Sequence, residues 1–117
     1  MKIFVPGRIC LFGEHSDWAG GYRRINANIE KGFTLITGTN QGIYAEIEPH
    51  PSSLVLTSTT TDGQVHGPVE IPMNADALLE IAQEGGYWSY IAGTAYQLLT
   101  HYHVRGLVIN NYKTDLP

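Results

Sequence analysis

The clearest structural pattern in the sequence is the stretch Trp88-Ser89-Tyr90-Ile91-Ala92-Gly93-Thr94-Ala95-Tyr96-Gln97-Leu98-Leu99-Thr100-His101-Tyr102. Its apolar residues recur at intervals of three and four, which places them on one face of an α-helix. They are Trp88, Ile91, Ala92, Ala95, Leu98, Leu99 and Tyr102. We therefore predict a helix over residues 87–102 that packs its apolar face against another element.

A second helix is predicted just before this one, over residues 74–84. Asn74 is a suitable N-cap, because its side-chain oxygen can accept a hydrogen bond from an unpaired amide of the first turn. Asp76 follows at a place where negative charge is favourable against the helix dipole. The Gly85-Gly86 pair is expected to end the helix.

The other apolar segments predict β-strands, because they are short and are separated by glycine, proline or polar breaks. They are Lys2–Val5, Ile9–Phe12, Ile25–Ile29, Phe33–Thr37, Ile43–Ile47, Leu54–Leu56, Val69–Met73 and Gly106–Tyr112. Asp62-Gly63 predicts a hairpin turn. Strands followed by two helices and a last strand predict an α+β fold, with the two helices on one face of a mostly antiparallel or mixed sheet.

The bulk composition limits the kind of protein. A length of 117 residues suits one domain, and a net charge of −4 with seven scattered cations argues against nucleic-acid and anionic-membrane partners. The sequence has no apolar run of about 18 residues, and Pro6-Gly7-Arg8 interrupts the apolar N-terminus too early for a signal peptide. The single cysteine, Cys10, agrees with a reducing compartment, so we expect the protein in the cytoplasm.

The residues with chemical potential lie together near the N-terminus. Arg8, Glu14, His15 and Asp17 are close in sequence and are flanked by glycines. Carboxylates accept hydroxyl hydrogens and arginine supplies a fixed positive charge, so this cluster is typical of a site for a polyhydroxylated ligand. A metal site is an alternative for His15 with two carboxylates. However, no second histidine follows at the fourth position and there is no cysteine pair, so no metal site is predicted.

The first signature of the GHMP kinases (galacto-, homoserine, mevalonate and phosphomevalonate kinases) resembles one segment of the chain, Pro6-Gly7-Arg8-Ile9-Cys10-Leu11-Phe12-Gly13-Glu14-His15-Ser16-Asp17-Trp18-Ala19-Gly20-Gly21-Tyr22. The segment is similar to the galactokinase branch, with Ser16, Trp18 and Ala19 in place of threonine, tyrosine and asparagine. Asp17 favours a sugar substrate, because mevalonate kinases usually lack this aspartate. Arg23-Arg24 replaces the apolar residues usual at this point, which leaves the identity of the sugar open.

A second resemblance lies near the other end of the chain. The family segment that leads into a glycine- and serine-rich phosphate loop is similar to Trp88–Gly93 with its helix, and to Gly106–Ile109 followed by Asp115-Leu116-Pro117. The resemblance does not extend to residues 40–86. It implies that residues 1–117 are the N-terminal segment of a GHMP kinase N-terminal domain, with a ribosomal S5 domain 2-like fold, ending at the start of the phosphate-binding loop.

The resemblance also implies residue roles. Arg8 would be catalytic, with its positive charge near the reacting hydroxyl and the transferred phosphoryl group. Trp88 would lie beside the adenine of ATP. The substrate-binding residues would be Glu14, His15, Asp17 and Tyr22. ATP and Mg²⁺ would be the cofactors, with most of their ligands beyond residue 117.

The resulting hypothesis is the N-terminal, substrate-binding part of an ATP-dependent sugar kinase that transfers the γ-phosphoryl group to a sugar hydroxyl. The isolated chain is expected to be inactive. Its expected partners are the sugar, the remainder of the kinase as a companion chain or missing segment, and a second copy by self-association. Trp88, Ile91 and Leu98 are expected to pack partly against that remainder. The alternative is a non-catalytic sugar-binding or regulatory module of the same fold.

Several of these residues also have structural interpretations. Arg8 could pair with a carboxylate to close the loop. Trp88 could belong to the core, because aromatic residues at helical spacing usually do. His101 and His103 are interpreted as helix-end residues favoured by the C-terminal dipole. Cys10 is interpreted as a buried strand residue.

Overall fold

The computed structural model describes residues 1–16 and 18–116 of the chain. Within these residues the chain forms five β-strands, two α-helices and one short 3-10 helix, Ala19–Arg24. The strands are β1 (Lys2–Phe12), β2 (Leu35–His50), β3 (Ser53–Thr59), β4 (Val65–Pro72) and β5 (Gly106–Thr114). The α-helices are α1 (Ala75–Glu84) and α2 (Ser89–His101). The fold is α+β, as predicted.

The strands form one mixed sheet in the order β1-β2-β5-β3-β4. Three neighbouring pairs are antiparallel, and β3 pairs with β5 in parallel, with Leu54 opposite Leu107. Parallel neighbours need a long crossover connection, and here β4, α1 and α2 supply it. The order leaves β1 and β4 at the two edges.

Both α-helices pack on the same face of the sheet, over β3, β4 and β5. One buried cluster joins sheet and helices and consists of Leu54, Leu56, Ile71, Leu78, Ala92 and Ala95. Ala92 and Ala95 have short side chains, so α2 can approach the sheet closely. The predicted arrangement of two helices on one face is therefore confirmed.

The ends of α1 follow from its capping residues. The side-chain oxygen of Asn74 accepts a hydrogen bond from the backbone N–H of Ala77 at 2.9 Å, which satisfies one amide of the first turn. Gly85 has φ of +73°, the left-handed conformation that ends many helices and that glycine adopts without steric cost. Both sequence predictions for this helix are confirmed.

The hairpin between β3 and β4 also agrees with the sequence. Gly63 has φ of +84°, and its N–H donates to the carbonyl of Thr60 at 2.9 Å. The Thr60 hydroxyl donates to the Asp62 carboxylate, and this bond, together with one from the Gln64 N–H, lowers the pKa of Asp62. The strand after the turn begins at Val65, four residues before the predicted Val69.

The break predicted at Pro6-Gly7 is wrong, because β1 runs continuously through it. β1 is an edge strand, the kind of strand in which proline is tolerated. The pairing passes from Pro6 opposite Gly42 to Arg8 opposite Gly38. Two steps along β1 therefore match four along β2, and this bulge absorbs the irregularity.

The three strands predicted between residues 25 and 47 are also corrected. Residues 35–50 form the single strand β2. The polar residues before Gly42, which were interpreted as a break, lie in the bulge, and the strand continues through them. Residues 25–29 form no strand. The Asn28 N–H donates to the Asn26 side chain at 3.0 Å, a local turn that competes with strand pairing. Ile25 is 85% exposed and has no sheet partner.

The helices leave the β1–β2 end of the sheet uncovered. Seven apolar side chains there are at least 43% exposed: Phe4, Val5, Ile9, Leu11, Phe12, Leu35 and Ile36. Trp88 and Ile91 pack against the helix–sheet core and are half-buried, whereas Leu98 is 45% exposed. That they pack partly against a remainder of the kinase stays a prediction. In the described part of the chain, no helix has the length and apolarity needed to cross a membrane.

Candidate functional site

The sequence cluster between β1 and the 3-10 helix begins with a tight four-residue turn. The N–H of Ser16 donates to the carbonyl of Gly13 at 2.9 Å, which places Glu14 and His15 at the two central positions. His15 has φ of +68°, as the third residue of a type II turn requires. Glycine usually takes this position, because a left-handed conformation costs other residues about 1–2 kcal/mol. The turn therefore keeps His15 in a backbone conformation that is unfavourable for a residue other than glycine.

Hydroxyl groups fasten this turn to the chain that enters β2. The Ser16 hydroxyl is 2.6 Å from the Gly13 carbonyl and 3.0 Å from the Phe33 carbonyl, and it can donate to either. The Thr34 hydroxyl donates to the same Gly13 carbonyl at 3.1 Å. The turn is thus tied to residues 17 and 21 positions away in sequence, which fixes where Glu14 and His15 lie.

One pocket of about 190 Å³ gathers three of the predicted site residues. Its lining is Arg8, Cys10, Glu14, His15, Thr34 and Ile36. Arg8 and Cys10 are two positions apart on β1, so their side chains lie on the same face of the sheet. Gly38 pairs with Arg8 and carries no side chain, which leaves space beside the guanidinium. We call this the Arg8 pocket.

The charged groups of the Arg8 pocket do not neutralise one another. In the part of the chain that the structure describes, neither Arg8 nor Glu14 makes an ion pair; those found there are Lys2–Glu46 and Lys113–Asp115. Arg8, Glu14 and His15 are all exposed. The interpretation of Arg8 as a loop-closing ion-pair partner is therefore not supported. The pocket presents donors, an acceptor and an imidazole whose hydrogen-bonding capacity is available to a ligand.

The remaining predicted sugar-binding residues are placed differently. Tyr22 does not line the Arg8 pocket; its ring contacts Trp18, with centroids 5.4 Å apart, and Trp18 contacts His15 at 6.3 Å. Trp18 and Tyr22 are each about half exposed. The three rings form an aromatic series that leads away from the pocket. Asp17, predicted to bind the sugar, lies outside the described residues.

Trp88 packs against the helix–sheet core, which agrees with its interpretation as a core residue.

The neighbouring residue, Tyr87, lines a pocket. That pocket has a volume of about 280 Å³ and is lined by Ile43, Ser58, Thr59, Thr60, Thr61, Tyr87, Asn111, Thr114 and Leu116. The Tyr87 hydroxyl lies 3.0 Å from the Ser58 hydroxyl. The Tyr87 ring stacks on His66 at 4.1 Å and meets Trp88 edge-on at 4.8 Å. We call this the Tyr87 pocket.

Other candidate ligand residues have ordinary places in the fold. Residues 1–16 and 18–116 contain no group of three or more histidine, cysteine, aspartate or glutamate side chains arranged to hold a metal. His101 is the last residue of α2, as its interpretation as a helix-end residue requires, and His103 is exposed just after it. Cys10 lies in β1 and is half-buried rather than buried.

Sequence reasoning missed Thr34 and Ile36, which complete the Arg8 pocket. Ile36 reaches it through strand pairing, opposite Cys10, and Thr34 through the hydrogen bond from its hydroxyl to the Gly13 carbonyl. Nothing local in their sequence indicates a site. The one signal is the strand predicted over Phe33–Thr37. Because a strand must pair with another strand, this segment was a candidate neighbour of β1 and of the residues that β1 carries.

Comparison of the chain with protein-family models found no match, and comparison with curated proteins found none either.

Replacing Gly13 with alanine is expected to disrupt this turn. Gly13 has φ of +82°, and a Cβ atom there would collide with the Phe33 carbonyl oxygen. The substitution should lower the free energy of unfolding by about 1–3 kcal/mol, measured by urea denaturation. Gly20 is the matched control, because a Cβ there meets no atom within 4 Å. Equal effects of the two substitutions would contradict the described turn.

Replacing His15 with glycine is expected to have the opposite effect on stability. Glycine relieves the left-handed strain but adds freedom to the unfolded chain, so the free energy of unfolding should rise by about 0.5–1 kcal/mol. Ligand binding in the Arg8 pocket should weaken at the same time, because the imidazole is gone. A loss of stability in this variant would show that the His15 ring contributes more to folding than its backbone strain costs.

Proposed function

We propose that the chain is the N-terminal, substrate-binding part of an ATP-dependent sugar kinase of the GHMP family, similar to the galactokinase branch. The observation that carries the proposal is the Arg8 pocket, in which Arg8, Glu14 and His15 meet without neutralising one another. Three side chains from the resembling motif thus line one pocket, whereas a chance charge cluster on a solvated loop has no reason to converge.

The chemistry of this pocket suits a sugar. The Glu14 carboxylate can accept hydrogen bonds from two hydroxyls, and the His15 imidazole can donate one and accept another. The Arg8 guanidinium brings fixed positive charge to the same space. In phosphoryl transfer such a charge stabilises the negative charge that develops on the transferred group. In this proposal Arg8 is the catalytic residue, and Asp17 and Tyr22 complete the binding of the sugar.

The nucleotide in this proposal is ATP, and its base and ribose fit the Tyr87 pocket. Hydroxyl, amide and aromatic groups line that pocket, and no lysine or arginine does. It therefore suits the uncharged part of a nucleotide, with Trp88 next to it in the chain. The triphosphate does not suit the Tyr87 pocket, whose lining has no lysine or arginine, and the described residues contain no group of three or more side chains arranged to hold a metal. We propose that a companion segment holds the triphosphate and Mg²⁺.

A companion segment also accounts for the exposed apolar side chains at the β1–β2 end of the sheet. Exposed apolar surface on soluble proteins can mark an interaction surface. These side chains lie on β1 and β2, the strands that carry Arg8 and its partner Gly38, so a segment covering them would lie near the sugar site. We propose that the assembled protein works in the cytoplasm, where a lone cysteine such as Cys10 stays reduced.

A second candidate function is sugar binding without catalysis. The observation in its favour is the lack of any cation lining the Tyr87 pocket, which leaves Arg8 as the sole lysine or arginine lining either of the two described pockets. A regulatory module of the same fold would need the sugar site and no phosphate cradle. The two functions differ in whether the protein, once complete, turns over ATP.

The purified 117-residue chain is expected to show no kinase activity. Phosphoryl transfer requires a cradle of backbone amides for the triphosphate and a metal. The linings of the Arg8 and Tyr87 pockets contain no glycine, and the described residues contain no group of three or more side chains arranged to hold a metal. A coupled ADP-release assay with ATP, Mg²⁺ and a series of aldoses should give the background rate for every sugar. Turnover above background would overturn the assignment of phosphate binding to a companion segment. Turnover that appears when a companion segment is added would favour the kinase over the regulatory module.

A further inference from the structure

A third pocket contains two cations, and its lining residue Phe33 directly precedes Thr34 of the Arg8 pocket in the chain. It has a volume of about 360 Å³ and is lined by Arg23, Ala27, Asn28, Ile29, Glu30, Lys31 and Phe33. With one carboxylate against two cations, its lining has a net charge of +1, although the whole chain carries −4. The pocket is therefore a local region of positive charge on an acidic protein. We call it the Arg23 pocket.

The two cations of the Arg23 pocket have no ion-pair partner among the residues that the structure describes. Within residues 1–16 and 18–116, neither Arg23 nor Lys31 makes an ion pair, even with Glu30 in the same lining. Both side chains are exposed, so they are free to meet a ligand from solvent. Exposed arginine and lysine side chains that line one pocket are the groups that bind phosphates and carboxylates.

The Arg23 pocket and the Arg8 pocket lie on either side of one short segment. Phe33 lines the first and Thr34 lines the second, and the Cα atoms of consecutive residues are about 3.8 Å apart. Hydrogen bonds from Ser16 to the Phe33 carbonyl and from Thr34 to the Gly13 carbonyl fix this segment against the Glu14–His15 turn. These hydrogen bonds therefore connect the backbone that enters the Arg23 pocket to the turn that carries Glu14 and His15.

The backbone at Arg23 is also held in place. Arg23 belongs to the 3-10 helix, and the N–H groups of Ile25 and Asn26 both donate to the Tyr22 carbonyl, at 2.9 and 3.0 Å. This anchors the helix end next to the chain that carries Lys31. A cation on a fixed backbone loses less freedom on binding than one on a mobile loop.

We propose that the Arg23 pocket is an anion subsite and that the substrate is a sugar bearing a phosphate or carboxylate group. The sugar hydroxyls bind in the Arg8 pocket, and the anionic group binds between Arg23 and Lys31. This inference rests on the proposed function for the sugar itself, whereas the anion subsite stands on the geometry of its own pocket.

Isothermal titration of the 117-residue chain with four probes tests the proposal: D-galactose, D-galacturonate, galactose 6-phosphate and inorganic phosphate. The test variant is Arg23→Ala/Lys31→Ala. The matched control is Arg24→Ala/Arg105→Ala, which removes the same charge from exposed positions that do not line the pocket. Thermal melts that coincide with wild type establish that each variant is folded.

At least one anionic sugar is expected to bind wild type and control about tenfold more tightly than D-galactose, the gain that one charge-assisted hydrogen bond provides. In the test variant this advantage should fall below about threefold, while D-galactose binding is unchanged. Preference for the phosphate ester alone, or for both anionic sugars, supports the proposal and identifies the anionic group. Equal binding of neutral and anionic sugars to wild type, or an advantage that survives in the test variant, overturns it.

Failure of the sugar site gives a different result from failure of the anion subsite. If no sugar site exists, D-galactose gives no heat and Glu14→Ala changes nothing. Inorganic phosphate that binds wild type but not the test variant would still support the anion subsite. If the affinities for inorganic phosphate and for the anionic sugars are the same in wild type and in the test variant, the proposed anion subsite is wrong, whether or not D-galactose binds.

Discussion

Replacing Leu56 with alanine is expected to lower the free energy of unfolding by about 2–5 kcal/mol. Leu56 is 1% exposed and lies in β3, between its strand partners Val69 and Ile109. Its side chain belongs to the cluster that joins the sheet to both helices. Truncation removes buried apolar contacts and leaves a cavity that neighbours on two strands cannot easily fill. A domain of this size has a total stability of about 5–15 kcal/mol, so the variant should be marginally stable.

Leu11→Ala is the matched control for this experiment. It removes the same atoms from a side chain that is 51% exposed on β1, outside the helix–sheet core. Its effect should stay within about 0.5 kcal/mol in the same urea titration. If the two leucine variants lose similar stability, the helices do not pack on β3 as described, and the core lies elsewhere.

Replacing Glu14 with alanine is expected to weaken sugar binding by about 3 kcal/mol or more, roughly 150-fold in Kd. The estimate assumes two lost hydrogen bonds to a charged acceptor, each contributing about 1.5–3 kcal/mol. Glu14→Gln keeps the shape and one acceptor oxygen but loses the charge, so its effect should be intermediate. Asp17→Ala is expected to resemble Glu14→Ala, because the resemblance assigns both carboxylates to sugar hydroxyls.

The control for the Glu14 variants is Glu80→Ala, which removes a carboxylate from an exposed position on α1. Calorimetric titration of the chain gives Kd for each variant. Unchanged values in both Glu14→Ala and Asp17→Ala would refute the assignment of these carboxylates to the sugar. A similar loss in Glu80→Ala would trace the effect to net charge instead of to direct contacts.

The helices could be predicted from the sequence because their signals are local. The three-four spacing of Trp88 to Tyr102 gave α2 to within two residues, and Asn74 and Gly85 gave the ends of α1. Each of these patterns depends on residues within one or two helical turns. No partner elsewhere in the chain is needed to interpret them.

The β1–β2 ribbon could not be predicted in the same way, because its irregularities depend on pairing. Pro6-Gly7 and the polar residues before Gly42 look like strand ends in isolation. In the structure these two segments lie opposite each other and form one bulge, and both β1 and β2 continue through it. Whether such residues end a strand or bend it is decided by the partner strand, which the local sequence does not reveal.

The candidate site was partly predictable for a related reason. Arg8, Glu14 and His15 come from one short segment, and the structure brings them to one pocket as that segment suggested. Thr34 reaches the same pocket through hydrogen bonding to Gly13, a contact over 21 positions. The left-handed backbone of His15 was not expected, because glycine is the usual residue there.

The central claim, that the Arg8 pocket binds a sugar, is tested most directly by mapping the bound sugar on the protein. We expect titration of ¹⁵N-labelled chain with a series of aldoses, D-galactose among them, to perturb amide resonances of residues 8–16 and 34–36. The same titration of Glu14→Ala should leave these resonances unmoved, while Glu80→Ala behaves as wild type. Perturbations confined to residues around Tyr87, or identical spectra with and without every sugar, would contradict the account.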